Sequence, residues 1–271
     1  MHTTQNTSHR EFKEIIITLG ANKVSAHVGG EGPPIVLLHS LLADRSSFDR
    51  IAGPLAEHHH VVMFDLPGFG TSDAVEGSLE AIADRIAAAI KAYAFQQAPI
   101  LLGNGYGGFI ALLTAIRHPD IAERLVLADC GAVFSEPGRA AFKGMSAGAA
   151  AKGLVGVADV AMRRLFSPAY QLENPQLIEA RRARFLAVDP QTFHQACNAL
   201  ATLDLRAELA SVTVPVLVLV GEHDEATPPS MSQELATGLP NATLQILAGC
   251  AHVPQLQEPE LFLSAITPFL L

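Results

Sequence analysis

Tryptophan is absent from this chain of 271 residues, and cysteine occurs only three times. The absence of tryptophan excludes an indole ring from any binding pocket. The three cysteines, Cys130, Cys197 and Cys250, include no C-x-x-C pair, so we expect neither a disulfide framework nor a zinc site. Because few cysteines and no disulfide pattern suit a reducing compartment, we predict a cytoplasmic protein.

Positive charge is also scarce. The chain has 18 Lys and Arg against 27 Asp and Glu, a formal net charge of −9 at pH 7, and its basic residues are scattered. Neither nucleic acid nor an anionic membrane surface is therefore expected as a partner. A small anionic substrate is still allowed, because one local arginine can hold it. The polar N-terminus (residues 1–14) predicts no signal peptide.

Hydrophobic residues make up 49% of the chain and charged residues 17%, a composition typical of a folded domain. The uncharged stretch 95–116 contains a glycine cluster, which favours a strand and a helix over a membrane span. Short apolar runs predict strands at residues 11–18, 23–28, 35–39, 61–65, 124–128, 214–220 and 243–246. Helical spacing predicts helices near residues 48–57, 79–93 and 259–270.

This alternation predicts an α/β fold with a mostly parallel sheet flanked by helices. Between residues 134 and 209 the pattern is predominantly helical, without strand alternation. We therefore predict a core formed by residues 1–133 and 210–271, with residues 134–209 inserted as a helical cap or lid.

The sequence Gly103-Asn104-Gly105-Tyr106-Gly107 lies between an apolar run and a helical pattern. A strand, a sharp turn and a helix are the context of a nucleophile elbow, written G-x-S-x-G. Glycine stands at position 105, where the attacking serine would be. The chain therefore has the frame of a serine hydrolase without that serine.

Three other predicted strands are followed by segments with side chains that can act in catalysis. These segments are His39-Ser40-Leu41, Gly221-Glu222-His223-Asp224 and Gly249-Cys250-Ala251-His252. Functional residues of a parallel α/β sheet collect beyond the carboxyl ends of its strands. The order of nucleophile position, acid and base is the order found in α/β-hydrolases.

The chain resembles α/β-hydrolase-fold proteins over nearly its whole length, and in particular the 3-oxoadipate enol-lactonase branch. Two regions carry the resemblance beyond the elbow. The loop Asp65-Leu66-Pro67-Gly68-Phe69-Gly70-Thr71-Ser72 is similar to a D-x-x-G-x-G-x-S loop of the family. In the C-terminal half, the segments that resemble the enol-lactonase branch are 204–206, 214–218 and 221–229. Phe166-Ser167-Pro168, Asn174-Pro175, Gly249-Cys250-Ala251-His252 and Glu258-Pro259 resemble it too.

The resemblance implies that Asp224 is the acid and His252 the base that it orients. It also implies an oxyanion hole formed by the backbone N–H groups of Leu41 and Tyr106. A carboxylate on one imidazole nitrogen leaves the other free to accept a proton, and two converging N–H donors stabilise a developing oxyanion. No metal and no organic cofactor is implied.

Glycine at position 105 has two expected effects. Loss of the serine from a triad lowers turnover by on the order of a million-fold, roughly 8 kcal/mol of barrier. Glycine also adopts the strained elbow conformation without a Cβ penalty. It is expected to leave a gap near His252 of about one water molecule, so that His252 could activate water directly.

Simpler interpretations exist for each residue. Gly105 could be an ordinary turn glycine, Asp224 a helix cap before Pro228, and His252 a packed core histidine. The hydroxyl of Ser40 is interpreted as bonded to its own backbone in a turn. The substrate-binding site is assigned to Ser40, Asn104 and Arg164. Either Arg163 or Arg164 could hold a substrate carboxylate. Cys130 and Cys250 are interpreted as small buried hydrophobes.

Three functions are consistent with these residues. The first is an enzyme acting on a small ester, lactone or ketone through a His252–Asp224 base dyad. The second is a non-catalytic protein that binds a small molecule in the same pocket. The third is a serine esterase or lactonase whose nucleophile has been replaced deliberately. The sequence makes no prediction of oligomeric state.

Overall fold

The computed structural model describes residues 12–271; the predicted first strand begins at Glu11, which lies outside this range. Eight strands form one sheet in the order β1-β2-β4-β3-β5-β6-β7-β8. β2 pairs in antiparallel orientation with both β1 and β4, and all other pairings are parallel. The strands are β1 Lys13–Leu19, β2 Asn22–Gly29, β3 Pro34–Leu38, β4 His60–Phe64, β5 Ile100–Asn104, β6 Arg124–Ala128, β7 Val216–Gly221 and β8 Ala242–Leu247.

Burial explains the strand sequences. The central strands β3, β5 and β7 are buried at every residue. Apart from Asn104 at the end of β5 they consist of apolar residues and glycine, as expected for strands covered on both faces. The outermost strands β1 and β8 each have exposed positions. β7 begins two residues later than predicted: Pro215 precedes it, and Val214 lies outside the strand.

Helices cover both faces of the sheet. They are α1 Asp49–Leu55, α2 Leu79–Tyr93, α3 Tyr106–Arg117, α4 Glu136–Lys152, α5 Ala158–Leu165, α6 Pro168–Glu173, α7 Pro175–Leu186, α8 Pro190–Thr202, α9 Pro229–Gly238, α10 Pro254–Gln257 and α11 Pro259–Leu270. One apolar core includes residues of α1 and α11, and a larger one includes residues of α2, α3, α4, α5, α7 and α8. Within residues 12–271, no helix has both the length and the apolarity to cross a membrane.

The predicted α/β fold is confirmed, with the β/α alternation interrupted between β6 and β7 by the five helices α4 to α8. Phe142 of α4, Arg164 of α5 and Leu200 of α8 face the same cavity as Ser40 and Gly105. These helices therefore contribute to the wall above the carboxyl ends of the strands. That residues 134–209 form a separate cap domain stays a prediction.

Candidate active site

The elbow is formed where β5 passes into α3. Gly105 has φ 54° and ψ −118°, in the left-handed half of φ that glycine enters without strain. Its N–H donates to the carbonyl oxygen of Ala128 (2.9 Å), and the N–H of Gly107 donates to that of His39 (3.0 Å). A Cβ at Gly107 would collide with the carbonyl group of Leu38, so this glycine allows α3 to pass close to β3. The backbone thus keeps the sharp turn that a nucleophile needs.

Asp224 and His252 meet as the sequence predicts. Asp224 follows β7, His252 follows β8, and Nδ1 of the imidazole lies 2.8 Å from Oδ2 of the carboxylate. Both side chains are buried. Because a carboxylate accepts hydrogen bonds, Nδ1 carries the proton and Nε2 can accept one. The simpler interpretation of His252 as a packed core residue does not account for this pairing.

Asp224 is held in place by the turn that follows it. Its Oδ1 accepts from the N–H groups of Ala226 (2.7 Å) and Thr227 (3.0 Å), and the Thr227 hydroxyl lies 2.6 Å from Oδ2. Burial alone would raise the pKa of Asp224, but His252 and these hydrogen bonds outweigh it and lower the pKa below the ordinary value. The carboxylate form is therefore stabilised.

Ser40 departs from its predicted role. Its Oγ lies 3.3 Å from Nε2 of His252, and within residues 12–271 it forms no hydrogen bond with its own turn. The interpretation as a turn serine is thus wrong. A Cβ built at Gly105 would lie 2.7 Å from Ser40 Oγ and 2.7 Å from His252 Nε2. Ser40 Oγ and His252 Nε2 therefore border the space next to Gly105, where a gap of about one water molecule was expected.

The candidate oxyanion donors are the N–H groups of Leu41 and Tyr106. Both residues line the cavity that contains Gly105 and His252. Among residues 12–271, neither N–H has a protein acceptor. Two buried donors without a protein acceptor are what an oxyanion hole requires. The assignment of Leu41 and Tyr106 to that role stays a prediction.

The cavity itself is small. Its volume is about 20 Å³, room for roughly one water molecule. The lining is mostly apolar, and Arg164 is its one Lys, Arg, Asp or Glu residue. Its walls are Ser40, Leu41, Leu42, Gly105, Tyr106, Phe109, Phe134, Phe142, Arg164, Leu200, Ala226, Thr227 and His252.

The structure distinguishes the two arginines that the sequence left open. Arg164 lines the cavity, where its guanidinium lies over the Phe142 ring (5.3 Å to the ring centre) and donates to the carbonyl of Ala226 (3.3 Å). Arg163 lies outside the lining. Arg164 therefore stays the candidate for holding a substrate carboxylate.

Asn104 does not reach the cavity, so its assignment to substrate binding is corrected. Its Nδ2 donates to Oδ2 of Asp129 (3.0 Å) and to the carbonyl of His252 (2.9 Å), while its Oδ1 accepts from Nε2 of Gln255 (3.0 Å). These bonds engage both ends of a fully buried amide. Asn104 is a positioning residue that ties the elbow to the loop of the base.

Asp129, which the sequence reasoning missed, completes this network. It follows β6 with φ 52° and is fully buried, accepting from the N–H of Gly221 (2.9 Å). Burial and the negative charge of Asp224 hold the pKa of Asp129 well above its usual value, which favours the protonated form. Its place just beyond the strand at 124–128 was the signal available in the sequence.

One group of described residues offers donor atoms close enough together for a metal ion: Asp129, Asp224 and His252, within 4.8 Å of one another. The Asp224–His252 contact is already a hydrogen bond, and both Asp129 oxygens accept from N–H groups. The arrangement is that of a hydrogen-bonded network. Cys130 and Cys250 are buried, as interpreted from the sequence, and Cys197 is buried as well. Burial raises the pKa of Cys197 and Cys250 to about 12.

Gly105→Ala is expected to destabilise the fold by about 1–3 kcal/mol, because the new Cβ is strained at positive φ and collides with Ser40 and His252. The control is Gly144→Ala in α4, where a Cβ meets nothing within 4 Å. That variant should stabilise by about 0.5–1 kcal/mol. Urea unfolding measures both. Equal stability of Gly105→Ala and the unaltered protein would contradict the strained conformation.

Comparisons with known proteins agree with this geometry. The alpha/beta hydrolase fold family matches residues 33–259, and the chain belongs to this family. It is 26% identical to the enol-lactonase of Burkholderia xenovorans LB400, with a TM-score of 0.88 over 94% of this chain and 99% of that one. The predicted resemblance to enol-lactonases is confirmed.

Two curated relatives extend the comparison. The chain is 30% identical to a pimeloyl-[acyl-carrier protein] methyl ester esterase of Chromobacterium violaceum, over 89% of this chain and 95% of the esterase. It is 29% identical to the polyketide synthase ThaQ of Burkholderia thailandensis over 95% of this chain, but spans only 13% of that protein. The chain is thus similar to enzymes that include hydrolases of esters and lactones.

Proposed function

We propose that this protein hydrolyses a small, partly apolar ester or lactone with His252 and Asp224 as its base dyad. The observation that supports this most is the position of His252. Its Nδ1 is bonded to Asp224 at 2.8 Å, and its Nε2 lies 2.7 Å from where a side chain at residue 105 would begin. These distances support the proposal that a base oriented by a carboxylate acts at the point of nucleophilic attack.

The chemistry follows from the roles of these groups. Nε2 accepts the proton of the attacking hydroxyl as its oxygen bonds to the substrate carbonyl carbon. The carbonyl oxygen becomes negative and is stabilised by the N–H groups of Leu41 and Tyr106. When the carbon–oxygen bond to the leaving group breaks, the imidazolium returns the proton to that oxygen.

The lining favours a substrate with an apolar body and an anionic end. Six of the thirteen lining residues are phenylalanine or leucine, and the guanidinium of Arg164 is the positive group that could bind a carboxylate. A cavity of about 20 Å³ is far below the roughly 300 Å³ of ordinary ligand pockets. Binding of substrate therefore requires the helices that contribute Phe142, Arg164 and Leu200 to move outward.

A panel of p-nitrophenyl esters and enol-lactones, with and without a carboxylate, tests this function. We expect product release above the buffer rate for at least one member. Carboxylate-bearing members should lose affinity in the variant Arg164→Gln, whereas Arg163→Gln, outside the cavity, serves as the matched control. Absence of turnover across the panel, together with saturable binding, would overturn catalysis.

That outcome would support the second candidate function, a protein that binds a small molecule without turning it over. The observation in its favour is Gly105, since the residue that normally attacks is missing from an otherwise intact elbow. Calorimetric binding of the same panel distinguishes the two functions.

A further inference from the structure

A hydroxyl group lies beside the glycine of the elbow, although the elbow does not supply it. Ser40 follows β3, on the neighbouring strand of the sheet, and its side chain enters from there. Its Oγ is 2.7 Å from the Cβ position that a side chain at residue 105 would have. A serine at residue 105 would have its hydroxyl oxygen one bond beyond that Cβ. The Ser40 hydroxyl therefore lies close to where the hydroxyl of an elbow serine would be.

The partner of this hydroxyl is the nitrogen that can act as a base. Ser40 Oγ lies 3.3 Å from Nε2 of His252, and Nδ1 of the same ring is bonded to Asp224. With Nδ1 donating, Nε2 is the acceptor and Ser40 is the donor. Serine, histidine and aspartate are thus connected in the order of a catalytic triad, which is defined by geometry and roles rather than by sequence position.

The two candidate oxyanion donors fit a serine at position 40 as well as one at position 105. In the usual arrangement, one N–H belongs to the residue after the nucleophile and the other to the loop after β3. With Ser40 as the nucleophile, the N–H of Leu41 belongs to the residue after it, and the N–H of Tyr106 comes from the other loop. The two loops exchange roles and keep the same pair of donors.

Thr227 has the other hydroxyl near the ring, and its position is unsuitable. Its Oγ1 lies 3.3 Å from Nδ1, on the Asp224 side of the imidazole, and only 2.6 Å from Asp224 Oδ2. Since Nδ1 carries the proton, it cannot take the proton of Thr227. Ser40 is the hydroxyl on the side of the ring that accepts.

We infer that Ser40 is the nucleophile of this protein, moved from the elbow to the loop after β3. The inference rests on the proposed function and names the group that performs its first step. Oγ bonds to the carbonyl carbon while its proton passes to Nε2, and the leaving oxygen departs with that proton. Water, deprotonated by Nε2, then attacks the Ser40 ester; the acid is released, and Oγ regains its proton.

The first test is to trap the covalent species. The protein is acid-quenched during turnover of a reactive ester from the panel, and in parallel it is treated with a small fluorophosphonate, which forms an Oγ–P bond and releases fluoride. Trypsin yields the peptide 24–45, whose only serines are Ser25 and Ser40. Fragmentation is expected to place the acyl and phosphonyl groups on Ser40.

The second test is kinetic. Ser40→Ala should lower kcat by on the order of 10⁴- to 10⁶-fold, as for removal of a triad member. Ser47→Ala is the matched control, because Ser47 is also buried, lies outside the cavity lining, and its hydroxyl has no hydrogen-bond partner among the described residues. It should leave kcat unchanged. Urea unfolding of both variants verifies that they are folded.

An acyl or phosphonyl group on Ser40, lost in Ser40→Ala, supports the inference. Turnover by Ser40→Ala within tenfold of the unaltered protein, or a protein that turns over the ester without an adduct on Ser40, overturns it. In either case, continued dependence of the rate on His252 would keep the proposed function and make water the nucleophile. Failure of the proposed function would appear differently, as an absence of turnover by the unaltered protein.

Discussion

His252→Ala is expected to lower turnover by on the order of 10⁶-fold on any ester or lactone that the protein hydrolyses. The imidazole is the only group in the cavity lining that both contacts Ser40 Oγ and is oriented by a buried carboxylate. Without it, neither the attacking hydroxyl nor the leaving oxygen has a partner for its proton. The backbone donors and substrate binding then leave roughly 10³- to 10⁴-fold over water.

The measurement is kcat and KM for the best substrate of the panel, before and after the substitution. His194→Ala is the control, because His194 lies on α8 and is bonded to Ser146 and Asn198, outside the cavity. It should leave kcat within about twofold, as for a surface change away from the chemistry. Turnover by His252→Ala within tenfold of the unaltered protein would refute the base dyad.

Asp224→Asn is expected to lower kcat by about 10⁴-fold, although the side chain keeps its size. Asparagine can still accept the N–H groups of Ala226 and Thr227 through its oxygen, which turns its NH₂ towards His252. Two donors would then face each other, so Nδ1 must give up its proton and Nε2 must carry it. An Nε2–H group cannot take a proton from Ser40.

The effect should be present at neutral pH, because the lowered pKa of Asp224 keeps the unaltered residue ionised there. Glu225→Gln is the control for loss of one negative charge, since Glu225 is adjacent and exposed. A proton NMR spectrum of the imidazole would show the change of tautomer directly. If kcat stays within tenfold of its original value, Asp224 is not what orients His252.

Much of the site could be predicted from the sequence because its parts lie at strand ends. Asp224 and His252 each follow an apolar run, and parallel strands bring their carboxyl ends to one edge of the sheet. The backbone of Gly105 could be predicted for a similar reason, because a glycine cluster between a strand and a helix permits one sharp turn. These are local patterns with a fixed consequence in three dimensions.

Ser40, Asn104 and Asp129 could not be assigned in this way. A serine after a strand usually caps a turn, and only the approach of β8 and its loop brings Nε2 to Ser40. Asn104 was assigned to the cavity because it adjoins the elbow, but a residue next to a sharp turn can point to either side of the sheet. The structure turns it beneath the elbow, towards Asp129 and Gln255.

The sequence by itself determined the alternation of strands and helices in the core, the glycine turn, and the places of Asp224 and His252 at two strand ends. Apolar periodicity and glycine act over a few residues, so their effect can be derived without knowing what packs against them. Tertiary structure alone decided what fills the place beside Gly105. Ser40 and His252 are 212 residues apart in the chain, and their loops meet beside Gly105. Burial against the sheet fixes both loops within one small cavity.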